Sequence, residues 1–418
     1  MIPFKTTRNL MMASLALVTL SACGGGGSNA NEIQLMNPFV GADGDNFQAM
    51  VNAYNATDPA FTIRNVAMEQ DAMYTNISTA FGAGSGLPDL AVVHAERIQN
   101  FVQNDMLLSW NDLLTGFPEL RADNYIQSAW EIGEIGGNRY GIPLDIHSWV
   151  MYYNIDLMEQ YGVSHFLDDG ILTFDEIKEI GRIMQEANSE AATIGVTWMM
   201  PNFLTTYRQM GGNITSDGFN PTLYNDTSVA TLQLWRDLYE MGITNENGED
   251  ASQLFQVGQL MLIPEGIWFQ NLAQTIEDFE WGMTHTPQYD PNNLVNWSSS
   301  HQFVMFDGND RSDEQKQGIL EFIDWLRENS IEWARAGQNP ATLAILDEPE
   351  YQQMKQSFLL KTDEGRNSLV IFEYLFNGFV SDEINRIGFD TVFGALEVHE
   401  ALDSAQRAIE DRIAQVGN

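Results

Sequence analysis

The stretch "SGLPDLAVVHAERIQN", Ser85 to Asn100, decides between fold classes. Glycines and a proline in "GAGSGLP" (Gly82 to Pro88) break whatever precedes them. "DLAVVHA" (Asp89 to Ala95) is a short, nearly continuous apolar run, the pattern of a strand buried on both faces of a parallel sheet. His94, Glu96 and Arg97 follow at once. They lie at the carboxyl end of that strand, where open α/β sheets bind their ligands.

The flanking segments agree with this reading. Ile33 to Met36 is a strand candidate, and Gly44 to Ala56 carries Phe47, Met50, Val51 and Tyr54 at helical spacing. Phe61 to Ala67 alternates as a strand, and Tyr74, Ile77 and Phe81 stripe a helix that ends at the breaker. Strand and helix in alternation predict βαβ units and an α/β fold. Further on, "YGIPLDIHSWVMYYN" (Tyr140 to Asn154) looks like one extended segment. Thr173 and Glu176 form a capping box for a helix to about Ala187. Val229 to Leu238 is helical, Gln259 to Leu272 is a strand, tight turn and helix, and His301 to Phe306 is a strand. Helices are also expected over Ile319 to Glu328 and Asp390 to Ala414. About 390 residues suit two domains rather than one core. No single linker separates two halves, so the chain should cross between lobes more than once.

The N-terminus carries an address. Lys5 and Arg8 precede the apolar block Leu10 to Leu20, too short to span a bilayer. Leu20-Ser21-Ala22-Cys23 resembles a bacterial lipobox, in which the thiol of the single cysteine is acylated. Residues 1–22 are therefore expected to be a lipoprotein signal peptide. Residues 23–31 are expected to be a lipidated Cys23 with a glycine-rich tether. The formal charge of −38, from 58 acids and 20 bases, disfavours nucleic acid and anionic lipid surfaces as partners. With so many carboxylates, acidic pairs arise by chance, so two nearby acids alone do not indicate a glycosidase.

Five segments, in this order, carry a family resemblance: Pro38 to Pro59, Leu87 to Leu114, Tyr140 to Val163, Gly258 to Asn271 ("GQLMLIPEGIWFQN") and Phe322 to Ala341. Behind a lipobox, they resemble the extracellular solute-binding proteins of carbohydrate ABC importers, the class that includes maltose-binding protein. The resemblance implies a two-lobed type II periplasmic-binding-protein fold, each lobe a sheet flanked by helices and joined by a hinge. Lobe 1 would comprise 32–146 plus 302–346, and lobe 2 would comprise 147–301 plus 347–418. A sugar or short oligosaccharide would be captured between them and delivered to membrane permease subunits. The protein is expected to be an extracytoplasmic, lipid-anchored monomer needing no cofactor or metal.

A sugar offers apolar ring faces to aromatics and hydroxyls to carboxylates, amides, His and Arg. Asp43, in "GADGD" after the first strand, is a binding candidate or a helix cap; Asp45 complements the helix dipole. His94, Glu96 and Arg97 occupy the corresponding loop after the third strand, though Arg97 can instead pair with Glu96. Asp145, His147 and Trp149 alternate, which sends all three to one side of an extended crossing. The resemblance puts His147 at a hinge-proximal ligand position, a core histidine being the alternative. It also puts Trp268, in "GIW", at a sugar-stacking position. Trp149 either stacks or packs. Trp297 and His301, in "NWSSSH", precede the second crossing, with Ser298 to Ser300 as donors. Gln338 and Asn339 are expected to shape a loop. Trp110, Trp130, Trp198, Trp235 and Trp325 are expected in the core.

Two other readings compete. One is a binding protein of the same fold for a polyamine, peptide or metal; metal capture would need His94, His147 and His301 to converge. The other is an anchored polysaccharide-degrading enzyme. The chain has no G-x-S-x-G, H-E-x-x-H or C-x-x-C motif.

Overall fold

The computed structural model describes residues 31–372 and 374–416, so the signal-peptide and Cys23 expectations lie outside the described residues. The secondary structure forms two main sheets. In the first, the strand order is Thr62–Ala67, Glu32–Asn37, Leu90–His94, His301–Val304 and Ile142–Pro143. The first three are parallel, and His301–Val304 enters antiparallel beside Leu90–His94. Leu90, Ala91, Val92 and Val93 are fully buried, as a central strand covered on both faces requires. The helices Ala42–Asn55 and Gln70–Ala83 are the crossovers. The second ends on Gly84 at φ +65°, a left-handed cap that favours glycine.

The second sheet runs Leu369–Ile371, Asn296–Ser299, His147–Asn154, Leu260–Gly266 and Ala192–Ile194, with Trp281–Thr284 also paired to His147–Asn154. Thr173 and Glu176 form the expected capping box at the start of Phe174–Glu186. Packing around Met151, Met261 and Trp235 fills one face of this sheet. Another core cluster extends from Ile33 and Val92 through Trp333 and Tyr351 to Tyr152 and Ile263, and so joins the two sheets.

Two crossings position the site. Tyr140 to Asn154 is not one extended strand: Ile142–Pro143 pairs in the first sheet and His147–Asn154 in the second. The backbone turns between them, where Asp145 bridges Pro340. On the return, Ser299 pairs with His147 in the second sheet, and two residues later His301 pairs with His94 in the first. His301 thus belongs to the first sheet, one residue earlier than the expected boundary.

Asp390 to Ala414 is helical as expected, in two pieces: Asn377–Val392 and Val398–Val416 are separate, with Gly394 at φ +79° between them. One further expectation needs correction. Trp198 is not core; it is 58% exposed at the start of Met199–Gln209, a helix that buries Met199 and Phe203 instead. Trp198 is the residue just before that helix, a position from which a side chain is free to project. Trp110, Trp130 and Trp235 are core, and Trp325 packs against the core while partly exposed.

Candidate functional site

Between the carboxyl ends of the strands lies a cavity of about 470 Å³, within the usual range for small-molecule sites. One wall comes from the loop after the first strand, through Phe39 and Asp43, and from His94, Glu96 and Arg97 after the third. The crossings supply His147, Trp297 and His301. The opposite wall is Trp268 and Trp198, with Trp149 behind them. Ser381, Asp382 and Asn385 of Asn377–Val392 close one side, and Gln338 another.

Nine of the ten expected ligand residues therefore line the cavity, and Asp145 does not. Its side chain is fully buried beneath the floor, because the turn that ends Ile142–Pro143 aims it inward. It accepts the His301 backbone N–H (3.0 Å) and the Trp333 indole N–H (3.0 Å). His301 Nδ1 lies 2.8 Å from one oxygen and His147 Nδ1 3.2 Å from the other. Burial alone would raise the Asp145 pKa. The imidazoles, His301 foremost, outweigh burial and hold it far below the usual carboxylate range. Burial would likewise lower His301, but Asp145 raises it on balance. His147 and His94 are both lowered, burial being the main cause. Asp145 is thus the orienting group of the floor, and the rings above it face the cavity.

His94 Nδ1 sits 2.7 Å from the Tyr74 hydroxyl, which also accepts the His94 backbone N–H at 3.0 Å. Arg97 does not pair with Glu96. Its guanidinium lies over the Tyr74 ring, 4.6 Å from the centroid, and its buried Nε has no partner. Glu96 instead accepts the Ser299 hydroxyl at 2.9 Å, a hydrogen bond between the two sheets. Asp43 accepts the Gly44 backbone N–H at 2.9 Å, and no side chain caps the Ala42–Asn55 helix.

On the second wall, the 3-10 turn Ile267–Phe269 presents Trp268, half-buried, at the end of Leu260–Gly266. Trp149 is fully buried and donates its indole N–H to Asn202 at 2.8 Å; it backs Trp268 at 6.0 Å between centroids. Packing, not free stacking, is its role here. Gly266 is required by close approach, since a Cβ there would lie 2.2 Å from the Trp268 ring. Gly266→Ala is expected to tilt Trp268 out of place and weaken ligand binding about tenfold, with a smaller effect on the melting midpoint. Titration of the variant beside the wild type checks this.

Residues that sequence reasoning missed are as informative. Gln338 is 1% exposed, lines the cavity, and has no partner for Oε1. Its loop sequence gave no hint of that orphaned acceptor. Ser381, Asp382 and Asn385 lie on a helix whose pattern is merely amphipathic, so only the three-dimensional approach of that helix brings them in.

Below the second wall, His285 is buried against Phe358 and 2.8 Å from the Asn296 amide nitrogen. Burial pushes its pKa down to about 4. A histidine that is harder to protonate when folded stabilises fully above the unfolded value and loses that contribution as pH falls. Between pH 6.5 and 4 the loss is about 3 kcal/mol. Glu265, beside the Trp268 turn and raised to about 7 by burial, acts in the opposite sense as pH rises. The His285 part is therefore isolated by comparing denaturant midpoints of wild type and His285→Gln across this range. The variant should show the shallower acid decline.

A two-lobed body with a polar-floored, tryptophan-walled cleft at its chain crossings defines a binding protein of the type II periplasmic fold. The bacterial extracellular solute-binding protein family matches residues 40–332, and the chain belongs to it. An arabinooligosaccharide-binding protein of Halalkalibacterium halodurans is 25% identical over 406 residues, covering 90% of this chain and 88% of that protein. The sugar-binding protein MalE from Xanthomonas citri superposes with a TM-score of 0.78 at 15% identity, over 92% of this chain and 98% of that one. The cyclic alpha-maltosyl-1,6-maltose binding protein from Arthrobacter globiformis gives 0.71 at 19% identity, over 91% and 98%.

Proposed function

We propose that the protein captures a sugar or short oligosaccharide in this cleft and delivers it to the permease of an ABC importer. The observation that carries the reading is the pairing of aromatic faces with hydrogen-bonding side chains in one cavity. Trp268, Trp297 and Trp198 can cover ring faces, while Asp43, Glu96, Asp382 and Asn385 line the same cavity. Sugar hydroxyls both donate and accept, so carboxylates and amides can satisfy them. Burial disfavours charge on His94 and His147, which suits an uncharged ligand. The similarity to arabinooligosaccharide-binding and maltose-class proteins supports the same ligand class. Residues 32–146 with 301–346 would move as one lobe against the remainder, hinged at the two crossings, with a ligand that binds the closed form better driving closure.

The test is a thermal-shift panel of arabinose, arabino-oligosaccharides and malto-oligosaccharides on the chain from Gly24 onward, which keeps every residue of both sheets. A true ligand raises the midpoint by mass action, about 2.7 kcal/mol at a hundredfold excess over Kd. A panel in which no saccharide acts while a polyamine or peptide does would overturn the reading.

Acylation of Cys23 would place the receptor outside the cytoplasm, tethered to the membrane through its glycines. No helix among the described residues is long and apolar enough to cross a membrane. The full chain is expected to partition into detergent, and Cys23→Ser to remain aqueous; equal partitioning of the two would refute the anchor.

A further inference from the structure

Three acidic side chains are buried among the described residues: Asp145, Glu265 and Glu383. Asp145 orients the cavity floor and Glu383 pairs with Arg386, but Glu265 has neither role. It sits at the end of Leu260–Gly266, 3% exposed, directly before the turn that presents Trp268. A buried carboxyl is costly unless it is hydrogen-bonded. The Ser252 hydroxyl donates to Oε1 and the Gly266 backbone N–H to Oε2, each at 3.2 Å. The Trp198 indole N–H is its third donor.

These contacts reach the tryptophan wall from behind. Thr197, next to Trp198, donates its hydroxyl to the Pro264 carbonyl, so two adjoining residues of one segment are tied to two of the strand. The Gly266 peptide is held from both ends. Glu265 takes its N–H, and the Tyr152 hydroxyl donates to the carbonyls of Gly266 (3.0 Å) and Ile267 (3.1 Å). The Trp268 ring lies against this same glycine. We propose that Glu265 is a positioning residue for the wall: its carboxylate holds the Trp198 indole and the Gly266 peptide under Trp268, and protonation loosens that hold.

The chemistry of the donors gives the direction. An ionised carboxylate accepts from all three, whereas a protonated one must itself donate, and of the three only the Ser252 oxygen can accept. Burial pushes Glu265 up to about 7, so the exchange between the two forms falls near neutrality. The charged and titratable groups that face it are Asp250, the exposed cap of Ala251–Gln256, and Tyr152 on the neighbouring strand. Asp250 raises it further, and burial keeps Tyr152 protonated. The wall is therefore held above neutrality and loosened as pH falls, most of all for a ligand long enough to reach Trp198.

The effect on affinity rests on the saccharide reading, but the positioning itself has a readout without ligand. Trp198 fluorescence is isolated as the difference between the chain from Gly24 onward and its Trp198→Phe variant, followed from about pH 9 to 5. The difference should titrate near neutrality and be flat in a Glu265→Gln background. Asp250→Asn, which keeps the helix cap, should move the midpoint down, and Ser252→Ala should move it up, though neither residue lines the cavity. With the longest saccharide that binds, the loss of affinity on acidification should be about fivefold greater in wild type than in Glu265→Gln, the scale of one hydrogen bond. The floor histidines are common to both chains and cancel in that ratio. A Trp198 signal that titrates unchanged in Glu265→Gln, or a midpoint indifferent to both Asp250→Asn and Ser252→Ala, would overturn the proposal. The latter pair decides the matter if Glu265→Gln does not fold. Expected fluorescence shifts with no saccharide bound at any pH would uphold the positioning role and sink the saccharide reading alone.

Discussion

Asp145→Ala is expected to destabilise the fold by about 3–5 kcal/mol, the scale for removing one partner of a buried charged pair. Asp145 is fully buried and satisfies two imidazoles, an indole N–H and a backbone N–H. Its loss leaves all four donors in a dry environment and removes the anion that favours charge on His301. Because these partners belong to both crossings and to Trp333, the damage is not local. Against a total stability of 5–15 kcal/mol for typical domains, a loss of this size is large. Denaturant unfolding of wild type, Asp145→Ala and Asp145→Asn measures it. Asn keeps the volume but offers one acceptor oxygen, so it should fall between the other two. A variant as stable as wild type would mean that the His–Asp–His arrangement does not hold the crossings together.

Trp268→Ala is expected to have the largest effect on affinity with little on stability. Its ring stands at the cavity wall, backed by Trp149 and edge-on to His147 at 5.7 Å. Loss of one stacking face should weaken ligand binding by ~2 kcal/mol, roughly thirtyfold. Trp198→Ala, at the exposed rim, should cost less for a short ligand and more for a longer one that reaches it. Equal affinity in wild type and Trp268→Ala would remove that ring from the site.

The fold was largely legible because its signals are local. The continuous apolar run before His94, the breaker before it and the striped helices around it point to a covered parallel sheet, and each element formed close to where its pattern lies. What local pattern cannot encode is the partner of each strand. Alternation implied a single segment over Tyr140 to Asn154, yet its halves pair in different sheets, and the turn that results buries Asp145 instead of exposing it. The same limit left the convergence of His94, His147 and His301 undecided, since the last lies 154 positions beyond His147 and meets it only through the return crossing. Trp198 was misread because its apolar neighbours are buried while it is not. Gln338 was underrated because an unpaired oxygen is a property of surroundings, and no sequence pattern carries it.

The most direct measurement is calorimetric titration of the oligosaccharide series proposed above against the chain from Gly24 onward, with Trp268→Ala run in parallel. The cleft as described predicts one site per chain, affinity that rises from the monosaccharide to the longer members as more tryptophan faces are used, and a roughly thirtyfold loss in the variant. Heat from no saccharide, or saccharide binding indifferent to Trp268, would contradict it.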